Sequence, residues 1–174
     1  MAIKNKMQKQ KSASGGFALL IAVIFTSVVL ALSLALSSIG YKQQVLASVS
    51  VGSQHAFYAA DAALECALYA DQGQNQNIFA YNADLNALTP NMVCDGVAPY
   101  SSRTVSHTSS LWVIFNRLSL GANRCADVTI YKYAVPQSGV ATRIFSQGYD
   151  TACDTIANPP ANARFVSRGI DIRY

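Results

Sequence analysis

The sequence predicts an α+β fold in which a long N-terminal α-helix packs on a small antiparallel β-sheet. Three observations predict it. Residues 17–39 contain no charge, proline or glycine; residues 41–71 continue without proline, with small and apolar residues at helical spacing; and the chain beyond residue 110 breaks into short runs rich in Val, Ile, Thr, Tyr and Phe. Together they divide the chain into a basic leader (1–16), an apolar helix (17–39), an amphipathic continuation of that helix (40–72) and a cysteine-bearing head (73–174).

The apolar run begins the argument. Its 23 residues are interrupted only by the hydroxyls of Thr26, Ser27, Ser33, Ser37 and Ser38. A helix of ~20 apolar residues crosses the ~30 Å hydrocarbon core of a bilayer, so this segment is long enough to span one. Lys4, Lys6, Lys9 and Lys11 precede it, and lysines beside a membrane helix are retained on the cytoplasmic side. The rest of the chain is therefore expected to face outward.

Charge and composition agree with that division. The chain has 174 residues, 51% of them hydrophobic, enough for one modest core. Of its 13 Lys and Arg, four lie in the leader, and the remaining nine are matched by nine Asp and Glu, so the net charge of +4 belongs to the leader. The body exerts no bulk attraction on a polyanion. Cys66, Cys94, Cys125 and Cys153 are even in number, widely spaced and never arranged as Cys-x-x-Cys. That pattern favours disulfides in an oxidising compartment over a zinc site, four buried free thiols being the alternative.

An ordinary secretory signal would have an apolar region of ~7 to 15 residues followed by a small-residue cleavage site. Here the small residues Ser12, Ala13, Ser14, Gly15 and Gly16 come before the apolar run. A basic leader, then Gly16-Phe17, then an uncharged apolar helix resembles a type IV prepilin. The resemblance implies cleavage between Gly16 and Phe17 by a prepilin peptidase, with Gly15, Gly16 and Phe17 as the processing residues and the new amine of Phe17 methylated. It implies a precursor in the cytoplasmic membrane with its N-terminus inside, and then an extracellular filament at the cell surface. Its implied partners are the membrane, the pilus assembly machinery and other pilin subunits, in a homo- or hetero-filament. Most members carry Glu four residues after the Phe; here that position is Ile21. Members without this acid tend to be minor or tip subunits, so a minor pilin or pseudopilin is favoured over a shaft subunit.

Residues 54–70, with Phe-Tyr-Ala-Ala-Asp followed by Glu-Cys-Ala-Leu-Tyr, resemble a subgroup of pilin-like sequences from small-genome bacteria. Val45, Val49, Ala56, Ala60, Leu64, Ala67 and Leu68 fall on one broad helical face, and Gly40 and Gly52 are expected to bend or loosen the helix, each costing about 1 kcal/mol against Ala. Residues 17–71 would extend roughly 80 Å if helical throughout. Asp61 and Glu65 lie four apart on one face, where like charges repel, and are subunit-contact candidates; a solvated stripe is the alternative.

Residues 72–90 read as an exposed loop with one helical turn at most. Strands are predicted at 111–120, 125–135, 142–149 and 163–174, the last with Val166, Ile170, Ile172 and Tyr174 to one face, and 92–97 is a weaker edge candidate. Residues 101–110 and 154–162, polar and unpatterned, are expected to be surface loops. A turn centred near Ser138 puts Cys125 opposite residue 151, within reach of Cys153, which leaves Cys66 for Cys94. Four cysteines allow three connectivities, and a link from Cys66 to Cys125 or Cys153 would overturn this one.

No catalytic residue, metal or cofactor is expected. His55 and His107 have no second ligand at metal spacing, there is no phosphate-binding glycine loop, and His107 among serines is explained by the abundance of serine. Trp112 reads as core or interface. Arg103, Arg117, Arg124, Arg143, Arg164, Arg168 and Arg173 could form a DNA patch, as in some pilins, but a neutral body without interleaved aromatics favours subunit and surface pairing. The expectation is a structural subunit of a type IV pilus-like filament serving adhesion, twitching motility, secretion or DNA uptake. The alternatives are a membrane-anchored extracytoplasmic binding module that does not polymerise and, with least support, an exported enzyme.

Overall fold

A computed structural model of the chain describes residues 15–73, 78–135 and 139–174. The leader, apart from Gly15 and Gly16, lies outside the described residues, as does the centre of the turn at 136–138. The fold is α+β, as the sequence predicts: helix α1 (Gly15–Gln72), strands β1 (Ser101–His107), β2 (Leu111–Ser119), β3 (Cys125–Val135) and β4 (Gly139–Tyr149), the short helix α2 (Cys153–Ala157), and β5 (Ser167–Arg173). Two compact units are present, Met1–Leu46 and Ala47–Tyr174.

In the first unit α1 carries only exposed side chains from Gly16 onward. Four of its hydroxyls turn back on their own helix: Thr26 donates to the Val23 carbonyl at 3.0 Å, Ser27 to Ile24 at 2.8 Å, Ser33 to Val29 at 2.8 Å and Ser38 to Ala35 at 2.9 Å. Each is thereby satisfied without a partner from outside, which lets an otherwise apolar cylinder enter a medium that offers no hydrogen bonds. The helix is long and apolar enough to cross a membrane. Helical structure continues without interruption through Gly40 and Gly52, contrary to the expected loosening there.

In the second unit the remainder of α1 lies on the sheet. Ala56, Ala59, Ala60, Ala63, Leu64, Ala67 and Ala70 are buried, a three-and-four spacing that makes one smooth face. Val45 in the first unit and Val49 in the second, expected on the same face, are exposed. Such small side chains permit a close approach, and Gly148 on β4 completes it: a Cβ there would stand 2.1 Å from the Ala56 carbonyl oxygen and 2.4 Å from the Ala60 nitrogen. Beside it Ser146 Oγ donates to the Ala60 carbonyl at 2.7 Å, a buried bond between strand and helix.

The five strands form one antiparallel sheet in chain order, β1-β2-β3-β4-β5. Period-two alternation sends Trp112, Ile114, Leu118, Ala126, Val128, Ile130 and Ile144 to the helix side, where all are buried. Phe79 and Met92, both fully buried, close the core from the connection between α1 and β1, so the 72–90 segment is not simply an exposed loop.

Two further expectations are corrected. Residues 101–110 contain strand β1, paired with β2 from Ser101↔Arg117 to His107↔Trp112 with an irregularity between Thr104 and Ser106. An edge strand needs few apolar residues, and its hydroxyls bind the adjoining segment instead: Ser102 Oγ donates to the Pro90 carbonyl at 3.3 Å, and the Thr89 and Thr104 hydroxyls meet at 2.8 Å. Conversely 92–97 is no strand of the sheet. Cys94 and Val97 form an isolated bridge around Asp95 (φ 51°) and Gly96 (φ 73°), a tight turn with two left-handed residues of the Asp-Gly kind. Within the predicted loop 154–162, α2 occupies the first residues and 158–162 are exposed.

Candidate functional site

The two disulfides tie the head together. Cys66 on α1 is bonded to Cys94, with Cα atoms 5.9 Å apart, and Cys125 to Cys153, 4.9 Å apart; this is the pairing that the hairpin register indicates. The register itself is displaced by two residues from expectation. Cys125 faces Tyr149, and Asp150–Ala152 carry the chain on to Cys153.

The residues proposed for processing lie at the start of α1. Gly15 is its first residue, a Cβ on Gly16 would meet nothing within 4 Å, and Phe17 is 69% exposed. Ile21, one turn on, is half-exposed like its neighbours. The bond between Gly16 and Phe17 is thus sterically open on the side chain's account, and the position where an acid would sit is part of an unbroken apolar surface.

On the second unit a groove of about 890 Å³ runs beside α1. Tyr58, Ala62, Glu65 and Tyr69, spaced along one helical face, form one wall; Val93 to Val97 with Ser119, Leu120, Gly121 and Arg124 form the other. Tyr58 and Tyr69 are 62% and 67% exposed, and the Cys66–Cys94 bridge lies in the floor. Glu65, Asp95 and Arg124 are exposed and, among the described residues, none of them makes an ion pair. Of the two contact candidates the groove takes in Glu65, while Asp61 is half-buried outside its lining. Tyr58 and Tyr69 escaped the sequence reading, although their spacing from Glu65, seven before and four after, places all three on one face.

A buried ionic cluster stands at the C-terminal end of α1. Lys132 on β3 donates to both carboxylate oxygens of Asp71, at 2.6 Å to Oδ2, and to Thr142 Oγ1 at 2.9 Å, while the Tyr174 hydroxyl donates to the same Asp71. The Lys132 and Asp71 side chains are 5% and 3% exposed. Burial, followed by the hydrogen bond to Asp71, raises the Tyr174 pKa. This cluster anchors the helix end to β3, β4 and the chain after β5 at once.

Several other titratable groups are engaged by partners within the second unit. His107 Nε2 donates to the Asn82 carbonyl at 2.7 Å, and the ring stacks on Trp112 with centroids 4.6 Å apart. Arg117 grips Asp127 through two bonds of 2.6 and 2.7 Å, and the Tyr149 hydroxyl joins them at 3.2 Å. The Tyr149 pKa is pushed up to about 12, by burial first and by the Asp127 charge second. Arg143 bonds Asp171 at 2.8 Å, holding that carboxyl below its usual range. Arg173 shares Asp171, Arg168 donates to Ser53, and Arg103 lies 4.5 Å over the Phe115 ring. Most of the arginines considered for a DNA patch thus have partners within the chain. Among the described residues no group of three or more His, Cys, Asp or Glu is placed to hold a metal ion.

No known family, curated protein or solved structure matches the chain.

Proposed function

We propose that this chain is a type IV pilin-like subunit: a protein held in the membrane by residues 17–39, cleaved between Gly16 and Phe17 by a prepilin peptidase, and assembled through its apolar helix into a surface filament. The observation that carries this reading is the first unit. Its helix exposes every described side chain from Gly16 to Leu46, and four of its hydroxyls are satisfied by its own backbone. A surface of that kind requires an apolar surround, which lipid supplies first and neighbouring helices of the filament supply afterwards. Cleavage in the first turn of α1, at a glycine with nothing within 4 Å of its side-chain position, leaves the apolar segment attached for both.

Ile21 favours a minor or tip subunit. With an aliphatic group where an acid would pair with a neighbour's terminal amine, docking relies on van der Waals packing alone, and the segment is held more readily in lipid. Adhesion, motility, secretion or DNA uptake would then be properties of the filament.

Mass spectrometry of the N-terminus of the native protein tests the proposal. The expected start is Phe17 carrying an N-methyl group; a start at Met1 or Ala2 would refute processing and favour an uncleaved anchor bearing a binding module. Immunogold electron microscopy of sheared filaments separates shaft from tip: label confined to filament ends marks a minor or tip subunit, and label along the whole length marks a shaft subunit.

A further inference from the structure

By charge and shape, the groove beside α1 suits an occupant with one cation and a small apolar knob. Its tyrosines stand eleven residues apart on a helix, roughly 16 Å, with Glu65 between them, and Asp95 faces them from the opposite wall. Two carboxylates against the single guanidinium of Arg124 leave the groove net negative. Among the described residues, one segment joins an unpartnered arginine to a small apolar knob. Arg117, Arg143 and Arg173 are engaged by carboxylates, Arg103 by Phe115 and Arg168 by Ser53, and Arg124 already lines the groove, which leaves Arg164 as the exposed arginine without a partner among the described residues. Immediately before it, Pro159, Pro160, Ala161 and Asn162 are all exposed, and a turn is closed by Ala163 N–H donating to the Pro160 carbonyl at 2.9 Å. Proline rings on tyrosine faces are a recurrent recognition mode, since both surfaces are rigid and lose little freedom on contact.

We infer that the groove receives residues 158–164 of a second copy of this chain, with the Pro159-Pro160 turn seated between Tyr58 and Tyr69 and Arg164 paired with Glu65 and Asp95. Knob and groove occupy different places on one chain, so the contact is head-to-tail and each copy keeps a free groove at one end and a free knob at the other. Such a contact propagates. The inference rests on the subunit reading above for what brings copies together, in the membrane and in a filament, and it supplies a specificity that the apolar helix lacks.

The test uses the full-length chain in its own membrane and in sheared surface material, with Tyr58→Cys and Ala161→Cys together and a short bismaleimide as cross-linker. A ladder of covalent multimers is expected for the double variant and monomer for each single variant. Arg164→Glu should lower the cross-linked fraction about tenfold, and adding Glu65→Lys and Asp95→Lys to that chain should restore it. Absence of any species above monomer, with both introduced cysteines shown free and both native bridges intact by mass spectrometry, would overturn the contact. A cross-link indifferent to these charge reversals would overturn the assigned pairing. The two readings fail separately: filaments starting at Phe17 without the cross-link sink the groove contact alone, whereas the cross-link in a chain that starts at Met1 sustains the contact and sinks the processed-subunit reading.

Discussion

Gly148→Ala should unlatch α1 from the sheet. The added Cβ would lie 2.1 Å from the Ala56 carbonyl oxygen and 2.4 Å from the Ala60 nitrogen, both backbone atoms of a helix that cannot yield locally. Relief requires helix and strand to separate by about 1 Å, since close-packed interiors transmit such a clash instead of absorbing it. Overpacking of this kind costs roughly 1 to 3 kcal/mol. The separation also breaks the 2.7 Å bond from Ser146 Oγ to the Ala60 carbonyl, leaving buried polar groups unpaired at a further ~1 to 3 kcal/mol. A loss of ~2 to 6 kcal/mol is a large part of the ~5 to 15 kcal/mol that holds a domain together. Trp112, the single tryptophan and only 2% exposed, reports unfolding of the second unit by its fluorescence. Urea titration of the full chain in a mild non-ionic detergent should therefore show a markedly lower midpoint for Gly148→Ala. Gly40→Ala, where nothing lies within 4 Å, should leave that midpoint unchanged. A midpoint for Gly148→Ala equivalent to within ~0.5 kcal/mol of the parent would refute the close approach.

Two other perturbations probe the polar groups. Lys132→Met strands the Asp71 carboxylate in the interior and should cost ~3 to 5 kcal/mol, while Lys132→Met combined with Asp71→Leu should recover most of it; by the same urea titration, a double variant as weak as the summed singles would show that the pair is not one unit. Tyr149, with its pKa raised from 10.0 to about 12, favours the folded state through its neutral form. Its contribution is fully present below pH 10.0 and is lost as pH rises through about 12, so tyrosinate absorbance should show a late-titrating component that Tyr149→Phe removes.

The helix and the central strands were legible because periodicity and composition report burial directly. For 111–118 the signal was composition rather than alternation, since Leu111, Val113 and Phe115 are as apolar as the inward Trp112, Ile114 and Leu118; the disulfide pairing follows from the hairpin even with its register two residues out. Strand β1 was illegible for the opposite reason. At the sheet's edge Ser101, Arg103 and Val105 are exposed, so no hydrophobic alternation marks it, and its pairing depends on a neighbour nearby in the fold rather than on its own composition. Phe79 and Met92 sit in a Gln- and Asn-rich context that masks two of the best-buried side chains in the core. In the groove, Glu65 was visible as an unpaired charge on α1, but Asp95 and Arg124 reach it from turns far along the chain, and no sequence period links them. The buried Lys132–Asp71 pair, 61 residues apart, was hidden in the same way.

The ends of the meander bear on how this chain lives among copies of itself. If the apolar helix holds the chain in a membrane, as proposed, copies would meet at high local concentration, where any open β-strand is an invitation to unregulated aggregation. Here β1 is kinked between Thr104 and Ser106 and tethered to Pro90, which has no N–H to offer, while β5 brings Arg168, Asp171 and Arg173 to the other margin. Neither margin welcomes an incoming strand. The two margins of the sheet thus disfavour β-stacking as a route by which copies of the chain could associate.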